Sequence, residues 1–317
     1  MLAPPIPRGA AAIVASAVIG GDPAAYDPFM LELQRTVRFS LSRTGQPAAS
    51  RSGAASALAG PVHNGFSSFP PMRGMGRYYE LTVTCRGEAD PVTGYFLNIK
   101  EIDRAVRECV LPFFQDLIEG DTPEAELPLG WVMRQSIDRL QPALGGVVAS
   151  VELAFSPMVR IAVESRDMNR ITLRQQYEFS AAHRLHVEEL SESENREVFG
   201  KCNNPAGHGH NYRLEVAVEK PITPEGHAPA VEELDRVVDE HVIDHLDHKH
   251  LNLDVPEFAD LNPSVEHIAQ VIWSLLEEPV ARLDGEDSAR LVEVRVWETG
   301  KTACIYRGPA SKAAAPP

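Results

Sequence analysis

The chain has 317 residues, 44% of them hydrophobic and 24% charged, with a formal net charge of -15. That excess of negative charge argues against a broad surface for nucleic acid or for an anionic membrane. The length has room for two domains with a sizeable core, and the four cysteines, at 85, 109, 202 and 304, form no CxxC pair or disulfide framework, so a reducing, cytoplasmic location is expected.

Residues 1–30 are dominated by Pro, Gly and Ala and read as a flexible extension, as does the tail 310–317. The apolar run Ala10–Ile19 is about half the length of a membrane span, and no membrane partner is expected. Strands are expected near 35–42 and 77–86, helices near 99–116 and 128–140, and strands near 147–155 and 158–164. Further on, Ile171–Ala182 and His210–Glu219 alternate as strands. Val231, Leu234, Val238, Val242 and His245 recur at helical spacing. Asn262, with Pro263 at the first helical position, is the expected cap of a helix striped by Val265, Ile268, Ile272 and Leu275. Val292–Trp297 and Ala303–Tyr306 close the chain as strands.

The order β-β-α-α-β-β therefore occurs twice, and the residues repeat with it. "GMGRYYELTV" from Gly74 matches "GHGHNYRLEV" from Gly207, and "EIDRAV" from Glu101 matches "ELDRVV" from Glu233. The expected fold class is α+β: two tandem units, at 31–167 and 168–309, each an antiparallel sheet with two helices on one face.

Polar chemistry is concentrated in the second unit, which holds ten of the eleven histidines. His208 and His210 are two apart on a strand and project to one side, and His183 ends the neighbouring strand. Three imidazoles with an open fourth position suit a catalytic zinc ion. In the first unit Arg43, Met75 and Arg77 stand where His183, His208 and His210 stand in the second, so the three candidate ligands are lost together. Cys202 lies in the polar loop "KCNNPAGHGH", and its counterpart is Phe69. A cation beside it would lower its thiol pKa and make a base or nucleophile; zinc ligation is the competing reading. Asp247-His248 in "VIDHLDHKHLN" can relay a proton, and its counterparts are Gln115 and Asp116. Glu298 in "VWET" ends a strand, could accept hydrogen bonds from a flat amino-heterocycle, and faces Pro157 in the comparison of units.

"FSAAHRL", "FGKCNNPAGHGHNY", "LDHKHLN", "NPSVEHIA" and "VWET" together resemble the 6-pyruvoyl-tetrahydropterin synthase family, which includes the 6-carboxytetrahydropterin synthases. The resemblance covers about 175–308; the first unit resembles the family in scaffold, notably "DPVTGYFLNIKEIDRAV". It implies the tunnelling fold, assembled into barrels, and hence a homo-oligomer built from both units. It implies zinc on His183, His208 and His210, Cys202 as catalytic cysteine, Asp247 and His248 as proton-transfer partners, Glu298 as pterin anchor, and Glu266 as a substrate contact. The implied reaction is elimination of triphosphate from 7,8-dihydroneopterin triphosphate with internal redox rearrangement. The spacing of "CNNPAGHGHNY" favours the pyruvoyl product over the carboxy product from the same substrate. A zinc- and pterin-binding module without turnover is the other alternative.

Overall fold

The computed structural model describes residues 30–43, 76–123, 126–228, 230–283 and 289–309. The expected extensions 1–30 and 310–317 fall outside these apart from Met30, as do Phe69 and Met75. The first half runs β1 (Leu31–Leu41), β2 (Arg77–Gly87), α1 (Ile99–Ala105), α2 (Leu111–Glu119), α3 (Leu129–Ala143), β3 (Val148–Ala154) and β4 (Val159–Glu164). The second half starts with β5 (Asp167–His183), α4 (Glu192–Phe199) and β6 (His208–Pro221). It continues through α5 (Val231–Val238), α6 (Asp244–Leu246), β7 (Lys249–His250), α7 (Leu251–Asp254), α8 (Val265–Ala281), β8 (Arg290–Thr299) and β9 (Thr302–Tyr306).

Among the described residues the strands form one sheet in the order β1-β2-β3-β4-β5-β6-β8-β9, with β7 added beside β5. Every neighbouring pair on that path is antiparallel, and β5–β7 is parallel. The long strand β5 joins the halves, since it pairs with β4 through Asp167–Gln175 and with β6 along Arg170–His183. Alternation sends Val37, Leu81, Val151, Ile161, Leu173 and Leu214 to one face, where they meet Ile102, Met133, Ile137, Leu234, Ile268 and Ile272 from the helices in one core.

The opposite face carries charge. Buried Glu215 on β6 accepts from Arg160 of β4 and from Gln176 (2.7 Å), and Arg174 reaches Glu293 at 3.1 Å. Arg160 and Arg174 are directly opposite each other across the seam between the halves, and the carboxylate of Glu215 offsets their repulsion. A second clasp joins the halves at the helix layer. Trp131 N–H of α3 donates to Gly226 O at 2.9 Å, and Gly226 has φ +88 with its Cα 's missing side chain replaced by the Trp131 Cβ, which a methyl group there would meet at 2.6 Å.

Both halves share two irregularities. A π-helical turn, Val106–Val110, links α1 to α2, and another, Asp239–Ile243, links α5 to α6, beginning 133 residues later. The register between β2 and β3 shifts at Thr84/Cys85, and that between β6 and β8 shifts at Ala217/Val218, again 133 residues on. The stacked pair Phe39–Tyr79 likewise answers Phe179–Tyr212.

The helix expected to be capped by Asn262 begins two residues later than expected, at Val265. Ser264 is its cap, accepting from His267 N–H, and Pro263 lies outside the helix with its carbonyl turned to His183. No described helix is long and apolar enough to cross a membrane.

Candidate metal centre and active site

The register of β5 against β6 assembles the histidines. His183 lies directly opposite His208, and Ala181 opposite His210. Two residues along a strand return to the same face, so all three imidazoles project from the helix-covered face at the end of this strand pair. Their ligand nitrogens lie within 4.8 Å of one another. His183 Nε2 is 3.2 Å from His208 Nε2, and the His208 and His210 ring centres are 4.8 Å apart. Two nitrogens at about 2.0–2.1 Å from a tetrahedral zinc would be roughly 3.3 Å apart, so the His183–His208 spacing suits a shared ion.

The tautomers suit it too. His183 is fully buried and its Nδ1–H donates to Pro263 O at 2.7 Å, which leaves the Nε2 lone pair facing the other rings. His210 Nε2 is buried with no hydrogen-bond partner among the described residues. Burial, opposed by the Pro263 carbonyl and reinforced by the neighbouring imidazoles, pushes the His183 pKa down to about 4. Burial also lowers that of His208. Neutral rings are the form that binds metal. The three histidines therefore fit a divalent cation with nitrogen preference.

Glu298 faces the same space. Register extension from Arg213–Trp297 places it opposite Tyr212 on the histidine face, and its Oε1 is 3.5 Å from His183 Nε2 and 3.8 Å from His210 Nε2. Cys202 is held in a single 3-10 turn, Gly200–Asn203, between α4 and β6. Its pKa is raised, first by burial and then by the Glu298 charge. The lowering expected from a nearby cation is thus absent in the polypeptide alone, because the charge acting on this thiol is a carboxylate. The same two influences raise the pKa of the buried Tyr212 hydroxyl, 3.4 Å from His183 Nδ1.

Asp247 and His248 form a pair on the other side of β5. Asp247 Oδ1 accepts from Ser180 N–H at 2.7 Å, its Oδ2 is 2.6 Å from His248 Nδ1, and His248 N–H donates to Ser180 O at 2.6 Å. The Ser180 amide leads the contacts that lower the Asp247 pKa. His248 has φ +56, the one positive value among described residues other than glycine, and its side chain is 83% exposed. This geometry turns the imidazole out to solvent instead of toward β6. Glu266 lies in the first turn of α8, where its charge adds to burial in raising the Cys304 pKa in β9. The structure thus gathers His183, His208, His210, Glu298 and Cys202 around one space, with Asp247–His248 across β5 and Glu266 beside Cys304.

His250 forms part of β7, and its Nε2 lies 2.6 Å from where a Cβ on Gly207 would be. It is one of the charges acting on His183. Its pairing with β5 came from the chain reversal at Asp247–His248, which no local pattern announced.

In the first half, Arg77 occupies the His210 position of β2. The strand register also corrects the counterpart of Glu298: Glu80 pairs with Ala154 as Arg213 pairs with Trp297, so Phe155 and not Pro157 answers Glu298. Phe155 packs edge-on against Tyr79, with ring centres 6.1 Å apart. The chain between the paired strands is longer in the second half, which the register resolves and residue counting does not.

The family model described as 6-pyruvoyl tetrahydropterin synthase matches residues 172–309. The 6-pyruvoyl tetrahydrobiopterin synthase of Poecilia reticulata is 43% identical over 131 residues, 41% of this chain and 85% of the relative. That of Homo sapiens is 41% identical over 133 residues, 41% of this chain and 86% of the relative. The solved Caenorhabditis elegans 6-pyruvoyl tetrahydropterin synthase aligns at 35% identity and a TM-score of 0.41, covering 44% of this chain and 96% of that one. The matched stretch holds every residue of the site just described, and through it the chain belongs to the 6-pyruvoyl tetrahydropterin synthase family.

Proposed function

We propose that this chain is a zinc-dependent lyase of the 6-pyruvoyl-tetrahydropterin synthase type, eliminating triphosphate from 7,8-dihydroneopterin triphosphate with internal redox rearrangement. The observation that carries the reading is the convergence of three imidazole nitrogens within 4.8 Å beside Glu298 and Cys202. His183, His208 and His210 hold the metal. Zinc, when bound, supplies a Lewis acid that acidifies a C–H next to hydroxyls it polarises. Glu298 accepts N–H groups from the pterin ring and fixes its orientation. Cys202, beside a cation, exists as thiolate and takes and returns protons at the side-chain carbons. Asp247 holds the His248 tautomer, and His248 exchanges protons between the site and solvent. Glu266 contacts the substrate at the rim.

The two halves are tandem copies of one unit, at 31–167 and 168–309. The recurrence of a π turn and of a strand bulge at the same spacing supports duplication, since both features are local irregularities and not general consequences of the fold class. The first copy is scaffold: it keeps the stacked aromatic pair and has Arg77 and Phe155 in place of a ligand and the anchor. The chain assembles as a homo-oligomer through β1 and β9, the edge strands of the sheet among the described residues.

The test is product analysis by mass spectrometry. Zinc-loaded protein and Cys202→Ala are incubated with 7,8-dihydroneopterin triphosphate under reducing, anaerobic conditions. A pyruvoyl product lost in the variant is expected. A carboxy product with acetaldehyde would move the chain to the other branch of its family, and zinc binding without turnover would leave a binding module.

A further inference from the structure

The segment Arg184–Val187 leaves β5 immediately after the ligand His183 and pairs with no strand among the described residues, yet most of its backbone polar groups are satisfied by side chains. Asn252 accepts from Arg184 N–H at 2.8 Å and donates to Arg184 O at 3.0 Å. Asn262 accepts from His186 N–H at 3.2 Å. Asn195 accepts from Val187 N–H and donates to Val187 O, each at 2.8 Å. Leu185 in the middle is held by the cysteine loop: its N–H donates to Cys202 O at 2.8 Å, and its carbonyl accepts from Asn203 Nδ2 at 2.7 Å.

Asn203 is 5% exposed, and its amide donates a second time, to His186 Nδ1 at 3.0 Å. Arg184 also donates to that nitrogen, at 3.1 Å, so Nδ1 is the unprotonated one. Both N–H groups of Asn203 are therefore engaged. The turn that carries Cys202 has four residues and starts at Gly200 with φ +54, so it has little internal bonding to hold its place. The clamp on Leu185, two residues from His183, ties the cysteine to the metal-binding strand.

We propose that Asn203 is a positioning residue for this reaction, its carboxamide fixing Cys202 in register with the end of β5 and hence with the metal-binding histidines. This rests on the reading of Cys202 as the proton-transfer group. Loss of both donors frees the loop, leaves Leu185 O without its amide partner and leaves His186 Nδ1 with Arg184 alone, while no ligand or anchor is touched.

The experiment compares Asn203→Ala with Asn195→Ala in zinc-loaded full-length protein. Readouts are kcat, KM, zinc content, melting temperature and the rate of iodoacetamide modification of Cys202 followed by peptide mass mapping. Asn203→Ala is expected to lower kcat by about 10- to 100-fold, with KM and zinc content within about twofold and the Cys202 modification rate changed by at least about threefold, because sub-ångström placement of a reacting group governs rate. Asn195, fully buried with four bonds to the flanking segment, is expected to cost more in melting temperature and to leave kcat and the Cys202 rate near the parent values. Parallel loss of kcat and melting temperature in both variants, or an unchanged kcat in Asn203→Ala, would overturn the proposal. Asn203→Ser, which keeps one donor, replaces the alanine variant if that one does not fold; failure of both to fold also overturns it. Full activity in Cys202→Ala would instead end the reading of the site, while the modification rates would still decide whether Asn203 positions the thiol.

Discussion

His210 Nε2 is buried and has no hydrogen-bond partner among the described residues. If it is a metal ligand as proposed, the His210→Ala variant should lose metal without a large repacking cost. Removing a partner one shell further out already weakens metal binding by 10- to 100-fold. His210→Ala should therefore bind zinc at least about 100-fold more weakly, measured by competition with a chromogenic chelator. Affinity within a few-fold of the parent would remove His210 from the ligand set. Glu298 makes a separable prediction. Glu298→Gln keeps its shape but not its charge, and a hydrogen bond to a charged group is worth about 1.5–3 kcal/mol. KM for the pterin should rise roughly 10- to 100-fold with zinc content unchanged; a fall in zinc content instead would make Glu298 a fourth ligand. Asp247→Asn should lower kcat by about 100-fold or more while zinc is retained, because its amide can no longer hold the His248 tautomer.

At the scale of elements, the sequence was most legible where a pattern was long and periodic. Ile171–Ala182 and the stripe Val265, Ile268 and Ile272 appear as β5 and α8 because alternation and 3.6-residue spacing each filled a core-facing row. The three histidines were legible for the same reason: their shared face follows from alternation once β5 and β6 pair. The helix Glu192–Phe199 was missed although Ser191 and Glu194 form a capping box at its start, a four-residue signal that was present in the sequence. The β7 pairing, the bulges and the asparagine bonds to Arg184–Val187 were not legible, since each depends on tertiary proximity. Gly207 shows how such contacts load one position. It has φ +70, and a Cβ there would lie 2.6 Å from His250 Nε2 and 3.0 Å from His183 O, whereas Gly200 at φ +54 has nothing within 4 Å. Gly200→Ala should cost about 1–3 kcal/mol through backbone strain alone, since φ +54 with ψ -121 lies outside the left-handed helical region. Gly207→Ala should cost clearly more in urea unfolding and also weaken zinc binding by displacing the backbone of His183. Equal costs at the two glycines would mean that the His250 contact carries no load.

At the scale of the whole molecule, the seam between β4 and β5 states how the open edges should meet. Within the chain, the last strand of one half pairs antiparallel with the first strand of the next, Val159 with Gln175 through Ala162 with Thr172. Phe39 answers Phe179 in the first strands, and the β3–β4 register, Leu153 with Ile161, is matched by Val296 with Cys304 in β8–β9. Transferring the β4–β5 register puts Cys304 opposite Leu33 of a second copy and Ile305 opposite Glu32. This register keeps apolar side chains on the helix face, as Leu33 and Cys304 already pack partly against the core, and it covers Ile305, which is 41% exposed. A one-residue slip would turn each strand's core row to the wrong face, so the register is a specific expectation. Directly opposed Cβ atoms lie about 4.5–5.5 Å apart, and diagonal ones are separated by about 7–8 Å, beyond disulfide reach without backbone movement. Under mild oxidation, Glu32→Cys with Ile305→Cys should give covalently linked chains on a non-reducing gel, and each single variant should not. Gln34→Cys with Ile305→Cys, on the same face but displaced by two residues, should link far less. Equal linking by both pairs would mean chance collision. No linking by either, in protein that elutes as an oligomer, would mean that the halves assemble by a surface other than the one their own internal seam models.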